Sequence, residues 1–333
     1  MTANPVVRLL ISLLVVIGFI AFNAAFLVWV ERKGAGHFQR RIGPKEVGPY
    51  GLLQTVVDGV KLMSKQLFVP DHVDPILFRV APLLILIPAV MSFVTIPFSD
   101  VLVARKIDLG LLMVFAFASV NVLGLLIGGW GSGNKYAVIS AARAVSQNVA
   151  YEIPMLITTI TIVMITGTLN MNEIVAQQAG GFWNWNILPL GKNFLLAAVM
   201  PISFLIFFIC SLAETNRAPF DMAEAESELI AGAYTEYPGM GFGVFFMGEY
   251  ANIIVGCALA TILFLGGWQC PFGLFPGVHW FLIKLYLLIF TVVWIRWTYP
   301  RTTIYGLLNL SWKVLIPFSL SILLLTGAIL KVL

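Results

Sequence analysis

The sequence predicts an all-α integral membrane protein with about eight transmembrane helices and an amphipathic helix in its first inner loop. Of the 333 residues, 59% are hydrophobic and only 11% are charged, whereas soluble domains carry about 25% charged residues. Several charge-free runs approach or exceed the roughly 20 apolar residues that a spanning helix needs. None of these runs alternates polar and apolar residues with period two, the pattern of a membrane β-barrel.

The spans are placed from these runs, in one membrane domain that covers residues 1–333. We expect them at about 8–30, 78–99, 109–130, 144–166, 193–213, 238–265, 278–299 and 312–331. The seventh contains Lys284 and Arg296, which lie near its ends, where long basic side chains can reach the interfaces. The first has the length of a signal peptide, but no cleavage site of small residues follows it, so we expect it to be retained.

Basic residues predict the orientation, because Lys and Arg accumulate in cytoplasmic connections. The connections after spans 1, 3, 5 and 7 hold Arg32, Lys33, Arg40, Arg41, Lys45, Lys61, Lys65, Arg79, Lys135, Arg143, Arg217, Arg296 and Arg301. The other side holds fewer: Arg8, Arg105, Lys106, Lys192, Lys284 and Lys331. Both termini are therefore expected on the outer side, which is the periplasm for a bacterial inner membrane.

Metal, flavin, haem and nucleotide chemistry are not expected of this chain. Its cysteines and histidines are scattered, without the spacing of a metal site: Cys210, Cys257, Cys270, His37, His72 and His279. An iron–sulfur cluster takes about four cysteine thiolates. The sequence also lacks a glycine-rich phosphate-binding loop, and we expect no nucleic-acid partner.

The first inner loop predicts an amphipathic helix over residues 50–67. Its apolar residues recur at helical spacing: Leu53, Val56, Val57, Val60, Met63 and Leu67. The opposite face carries Gln54, Asp58, Lys61 and Lys65. By spacing alone, a helix lying on lipid headgroups is favoured over the wall of a binding site.

The inner connection 214–237 concentrates acidic residues in the stretch "AETNRAPFDMAEAESELIAGAYTEYPGM". Six of the chain's 16 acids lie there with a single base, Arg217: Glu214, Asp221, Glu224, Glu226, Glu228 and Glu236. Pro219 suits the first position of a helix, and a helix over 220–231 would place Asp221 in its first turn. Apolar residues interleave these acids, which favours partly buried, mutually coupled carboxylates over a solvated acidic loop.

Two further acids, Glu152 and Glu249, lie inside predicted spans. An ionisable residue within the membrane is costly and is a candidate for function, although a structural hydrogen bond to a neighbouring helix is an alternative. Together with the acidic connection, these two residues predict a route for protons from the inner surface toward mid-membrane.

Four stretches of the chain resemble the signature regions of one family. They are "WVERKGAGHFQRRIGPKEVGPYGLLQTVVDGVKL", "NKYAVISAARAVSQNVAYEIP", the acidic stretch continued to "GFGVFFMGEYANII", and "PRTTIYGLLNLSWKVLIP". The chain is similar over about Glu31 to Pro317 to the H subunit of the proton-pumping NADH:quinone oxidoreductase, respiratory complex I. The resemblance implies a part of the quinone chamber and the start of the pathway that couples quinone reduction to proton pumping.

The resemblance also implies which molecules this chain meets. Quinone is the expected substrate, bound at the interface with partner subunits, and electrons would arrive from an iron–sulfur cluster in one of them. The implied partners are the other membrane subunits, the peripheral iron–sulfur and quinone-site subunits that dock on the inner loops, and membrane lipids.

Functional residues carry over from the matching motifs. The resemblance implies the following chamber residues: Glu31, Arg32, Gln39, Arg41, Asp58, Arg217 and Phe220. It implies the following proton-pathway residues: Arg143, Glu152, Glu214, Asp221, Glu224, Glu226, Glu228, Glu236, Tyr237 and Glu249. The amphipathic helix 50–67 then becomes a chamber wall rather than a surface helix.

The chain departs from the family pattern near its C-terminus. The family usually has "R-x-R-x-D-Q", whereas this chain keeps Arg301 but has Thr303, Tyr305 and Gly306, so one base and one acid are missing. Two alternative functions stay open. One is an anchor or coupling subunit of a ferredoxin-, deazaflavin- or hydrogenase-linked membrane complex. The other is a proton-coupled secondary transporter, although the repeated halves typical of that class are not evident.

Overall fold

The structure, a computed structural model, describes residues 5–191, 194–223 and 231–332, with side chains from residue 13 onward. Within these residues the fold is helical, without strands. The longer helices are α1 Pro5–Phe38, α2 Gln54–Ser64, α3 Pro75–Thr95, α4 Gly110–Gly131, α5 Lys135–Thr166, α6 Met171–Ala176, α7 Phe194–Glu214, α8 Gly239–Phe264, α9 Val278–Thr298, α10 Ile304–Leu310 and α11 Ile316–Val332. A π-helical turn, Ser311–Leu315, joins α10 to α11.

Eight helical segments in the described residues are long and apolar enough to cross a membrane. They are α1, α3, α4, α5, α7, α8, α9 and the joined α10–α11. The predicted all-α membrane fold is therefore confirmed. We call the end of the bundle that carries the 39–53 loop and the 215–238 segment the inner end, and the opposite end the outer end.

Several helices extend beyond the charge-free runs. Helix α1 continues to Phe38 rather than ending near residue 30, and Glu31 and Ala35 are buried within the bundle. Helix α5 begins at Lys135 rather than near 144, because the Asn134 side chain accepts a hydrogen bond from the Tyr136 N–H at its start. A charged residue ends a charge-free run in the sequence, but capping hydrogen bonds and tertiary packing decide where the helix itself begins and ends.

Helix α2 is shorter than the expected 50–67. A 3-10 turn over Pro49–Gly51 precedes it, and the helix ends before Lys65, whose backbone is extended. Gly51 adopts a φ of 76°, and a Cβ there would lie 2.4 Å from the Pro44 carbonyl oxygen, so the turn requires glycine at this position. No residue of α2 is buried, and its apolar side chains stand exposed on one face.

Helix α8 lies at the centre of the bundle. It contacts α1, α2, α3, α6, α7 and α9, and 78% of its most apolar stretch is buried. A helix that is apolar all round is typical of such a central position. Helices α3 and α4 pack closely beside it, since a Cβ on Gly124 of α4 would lie 2.7 Å from the Ile85 side chain of α3.

One local expectation is wrong. Pro219 does not begin a helix, because residues 215–223 form turns and irregular chain, and side chains of other segments donate hydrogen bonds to the carbonyl oxygens of Pro219, Phe220, Asp221 and Ala223; residues 224–230 lie outside the described residues. The amine of Lys284 is directed to the outer end of the bundle and is buried there. The amine donates to the carbonyl oxygens of Leu265, Gly267 and Gln269 at 2.6, 2.9 and 2.7 Å.

Candidate functional site

Two arginines and two glutamates form an alternating row of charges at the inner end, in the order Arg296, Glu31, Arg217, Glu249; Arg296 is partly exposed and the other three are buried. We call it the charge row. Arg296 contacts Glu31, Arg217 Nη1 lies 3.6 Å from Glu31 Oε1, and Arg217 Nη2 lies 3.3 Å from Glu249 Oε2. Arg217 is 2% exposed, Glu31 6% and Glu249 7%. Alternation lets each buried charge meet an opposite one, without which burial would be very costly.

Four separate parts of the chain meet in the charge row. Arg296 comes from α9, Glu31 from α1, Glu249 from α8, and Arg217 from the segment after α7. The arginine in that segment therefore links the central helix to the first. The partly exposed Arg296 side chain turns toward α1, where it meets Glu31.

Two tyrosines complete the coordination of the carboxylates. The Tyr250 hydroxyl donates to Glu31 Oε2, and the Tyr234 hydroxyl donates to Glu249 Oε1 at 2.6 Å. The guanidinium carbon of Arg217 also lies 4.5 Å from the centre of the Tyr250 ring, a cation–π distance. Each carboxylate thus has an arginine and a phenol as partners, and hydrogen bonds to ionised groups are the stronger kind.

A small polar cavity extends from Glu249 to Glu214. Its polar lining comes from Asn121, Asn148, Glu214, Thr215, Asn216, Tyr234, Glu249 and Asn252. Space for a water-sized sphere amounts to about 20 Å³, and about 10–15 Å³ is enough for one water. The side-chain oxygens of Asn121 and Asn148 are buried and accept no hydrogen bond within the described residues. The cavity therefore has the polarity and the size to hold a water between the two acids.

A second cavity begins at Glu214 and is mainly apolar. It shares Glu214, Thr215 and Asn252 with the first cavity, and its other walls include Phe207 and Met155. The polar environment that starts at the charge row consequently ends near Glu214.

Comparison with known proteins identifies the family. The NADH dehydrogenase family model matches residues 11–327. The chain is 65% identical over 326 residues to the NADH-quinone oxidoreductase H subunit of Desulfotalea psychrophila, covering 98% of both chains. It is 42% identical to the H subunit of Carboxydothermus hydrogenoformans, covering 95% of this chain and 88% of the relative, and 40% identical to that of Dehalococcoides mccartyi, covering 96% and 86%.

This chain belongs to the family of NADH-quinone oxidoreductase H subunits. The resemblance found in the sequence motifs is confirmed, and with it the assignment to a membrane subunit of an NADH:quinone oxidoreductase. Among the residues that the structure describes, no group of three or more His, Cys, Asp or Glu side chains could hold a metal ion.

The chamber residues implied by the family resemblance fall into two groups. Glu31 and Arg217 lie in the charge row, whereas Arg32 and Asp58 form a separate pair between α1 and α2. Arg32 Nη1 contacts Asp58 Oδ2 at 2.5 Å and ties α1 to α2. Burial raises the pKa of Asp58, but hydrogen bonds from Arg32 and Gln54 outweigh it and hold that pKa below its usual value.

The remaining chamber residues do not reach the charge row. The Arg41 Nε–H donates to Gln39 Oε1 at 2.6 Å on the exposed surface of the inner end. Phe220 is buried and its ring lies 5.5 Å from that of Tyr151 on α5.

Glu249 and Glu214, two of the proton-pathway residues implied by the family resemblance, border the polar cavity. Glu152 lies on α5 and accepts a hydrogen bond from the Ser119 hydroxyl of α4 at 2.6 Å. Arg143 lies half-buried on α5, nearer the inner end.

The other pathway residues lie along the 221–237 segment. Asp221 Oδ2 is 3.4 Å from Arg301 Nη2. Glu236 accepts from the Asn134 amide at 2.8 Å and lies 3.7 Å from His72. Glu224, Glu226 and Glu228 lie outside the described residues.

Tyr237 is a packed residue of this segment. Its ring stacks on Phe78 at 4.1 Å, and its hydroxyl donates to the Gly128 carbonyl oxygen at 3.3 Å. Burial raises the pKa of its phenol well above the usual value, so the hydroxyl stays protonated at neutral pH and can donate this hydrogen bond.

The sequence reasoning missed several members of the site. Arg296 lies within an apolar run, and the rule that singled out Glu249 would have found it. The sequence did not indicate that Tyr234 and Tyr250 would bind carboxylates, because tyrosine is common in membrane helices and in the loops that connect them. Near the C-terminus, where this chain lacks one base and one acid of the usual family pattern, Arg301 still has an acidic partner in Asp221.

Proposed function

We propose that this chain forms part of the quinone-binding chamber of an NADH:quinone oxidoreductase and the start of its carboxylate proton pathway. It would lie in a bacterial inner membrane with both termini in the periplasm. The observation that carries the proposal is the charge row, together with the polar cavity that joins Glu249 to Glu214. Of the function classes left open by the sequence, family membership favours the oxidoreductase.

The quinone side of the proposal rests on helix α2 and the charge row. Val56, Val60 and Met63 on α2 are 53%, 61% and 70% exposed, so this face is free to contact the apolar tail of a quinone. The Arg32–Asp58 ion pair holds α2 against α1, which also supplies Glu31. Electrons would come from a peripheral iron–sulfur subunit docked on the inner loops.

The proton side of the proposal follows the acids. Reduction of a quinone to a quinol takes up two electrons and two protons, so the charge of the site changes when acids of the site supply those protons. The charge row can respond when Glu31 or Glu249 gains a proton, because Arg217 lies between the two and can then strengthen its contact with the one that stays ionised. A proton on Glu249 could reach Glu214 through a water in the polar cavity, and Glu152 on the adjacent helix would continue the route.

The test exchanges each of two acids for its amide. Gln keeps the shape and hydrogen bonds of Glu but cannot carry a proton. In Glu249→Gln and Glu152→Gln, we expect assembly and apparent quinone affinity to stay nearly intact. Quinone reduction and proton uptake into sealed inverted vesicles should fall together, because the two are coupled.

A structural role predicts the opposite pattern. The Gln variants would then work normally, whereas Glu249→Ala and Glu152→Ala would disturb assembly. Normal pumping in both Gln variants would remove these residues from the pathway.

A further inference from the structure

The loop that carries Arg217 is held to helix α5 by the side-chain amide of Gln147. Gln147 Nε2 donates to the carbonyl oxygens of Ala213 at 2.6 Å and Phe220 at 2.8 Å. The same nitrogen lies 3.4 Å from the side-chain oxygen of Asn216. Gln147 is completely buried, so its amide hydrogens are out of contact with bulk water.

The two carbonyl groups bound by Gln147 lie on either side of Arg217. Between them the chain turns sharply: Asn216 adopts a φ of 51°, its N–H donates to the Ala213 carbonyl oxygen at 3.1 Å, and the Phe220 N–H donates to the Arg217 carbonyl oxygen at 2.9 Å. Gln147 therefore closes a short loop by joining its first and last residues, with Arg217 at its centre.

Other side chains hold the chain that follows this loop. The Thr302 hydroxyl donates to the Pro219 carbonyl oxygen at 2.9 Å, and Arg301 Nη2 donates to the Asp221 carbonyl oxygen at the same distance. The Ser140 hydroxyl of α5 donates to the Ala223 carbonyl oxygen at 2.5 Å. These contacts fix residues after Arg217, whereas Gln147 fixes the chain both before and after it.

The position of Arg217 must be set closely. Its two terminal nitrogens lie 3.6 and 3.3 Å from carboxylates on different helices, Glu31 on α1 and Glu249 on α8. A shift of about 1 Å in such a group can cost about 10²-fold in rate. A flexible arginine on an unfastened loop would also lose side-chain and backbone freedom on entering the site.

We infer that Gln147 is a positioning residue, which acts on turnover through Arg217 by holding its loop in register with the charge row. The inference rests on the proposed function of the charge row. It adds a residue of α5 whose hydrogen bonds go to the loop rather than to the acids of the row.

The test is a double-mutant cycle in the assembled complex. Gln147→Met keeps the length of the side chain but removes both donors, and we expect it to lower NADH-driven quinone reduction about tenfold. In the Arg217→Met background the same change should alter the rate by less than about twofold, because the residue through which Gln147 acts is gone.

The matched control is Gln178→Met at the outer end. Gln178 is also fully buried, and its Nε2 donates to two carbonyl oxygens, those of Ile174 at 3.1 Å and Ile262 at 2.9 Å. Loss of a buried glutamine in general would affect both positions. We expect turnover of the assembled control within about twofold of the unaltered complex.

Additive losses in the cycle, or normal turnover in Gln147→Met, would overturn the inference while leaving the proposed function intact. If the Gln147→Met complex does not assemble, Gln147→Asn is used instead, because the shorter side chain cannot reach both carbonyl oxygens. Additive losses of turnover in Gln147→Asn and Arg217→Met would overturn the inference in the same way. Full turnover in Arg217→Met would overturn both the inference and the role of the charge row.

Discussion

Replacement of Arg217 by methionine is the most direct perturbation of the charge row. The change keeps an unbranched side chain of moderate length, removes the guanidinium group, and leaves the loop contacts of the backbone in place. It separates the charge row into an intact pair, Arg296 with Glu31, and an isolated acid, Glu249.

The expected magnitude follows from what each acid retains. Glu31 keeps Arg296 and a phenol, whereas Glu249 keeps, among the described residues, the Tyr234 hydroxyl. Removal of one partner of a buried ion pair costs about 3–5 kcal/mol, which would correspond to about 10²- to 10⁴-fold in rate. The polar cavity beside Glu249 offers water as a partial substitute, so we expect a fall in turnover of about 10- to 100-fold.

The assay measures NADH-driven quinone reduction and proton uptake in inverted membrane vesicles, after assembly has been checked. Arg217→Lys should recover turnover only in part, because an ammonium group lacks the planar fork that contacts two carboxylates at once. Lys106→Met is the control, since it removes a base from an exposed ion pair with Asp100 at the outer end; such pairs contribute about 0–1 kcal/mol. Unchanged turnover and quinone affinity in an assembled Arg217→Met complex would refute the reasoning.

Three further predictions test neighbouring features. Arg296→Met should lower turnover by about threefold to tenfold, less than loss of the central arginine, because Glu31 keeps its other arginine; an equal or larger fall in the vesicle assay would contradict the proposed order of the row. Val60→Trp on α2 should raise the apparent KM for quinone in an assembled complex, and Val15→Trp, on an exposed part of α1, should not; equal kinetics of both would indicate a helix that only rests on lipid. Asp58→Asn should lower the stability of the α1–α2 contact by about 0–1 kcal/mol at neutral pH, measured by hydrogen exchange. Because the pKa of Asp58 is lowered in the folded state, this contribution should be present above about pH 4 and disappear as the pH falls through the lowered value; an effect of the mutation that persists in acid would count against the ion pair.

The sequence by itself was enough for the fold class and the family. Long apolar runs must satisfy their backbone hydrogen bonds internally in a bilayer, and this leaves helices as the solution for a chain without strand periodicity. The motifs around Glu31, Glu152 and the acidic connection identified the family, and the cost of burying a charge singled out Glu249 as a functional candidate.

Helix ends and single buried bases needed the structure. The hydropathy of the seventh span left Lys284 and Arg296 as equivalent bases near its two ends. In the fold, Lys284 meets three carbonyl oxygens that follow α8, and Arg296 meets a carboxylate of α1. The partner of each base depends on which helices lie beside it. Local sequence patterns do not predict which helices far apart in the chain become neighbours.

The order of the charge row was likewise decided by tertiary structure alone. Sequence reasoning gathered Arg217 with the acids of its own connection, whereas its carboxylate partners in the row come from α1 and α8. The sequence indicated buried charges because Glu152 and Glu249 lie within apolar spans, where an ionised group needs a partner. The packing of α1, α8 and α9 around one loop decided which charges pair. In a poorly solvated interior the Coulomb energy of a contact changes strongly when the two groups move by a few ångströms.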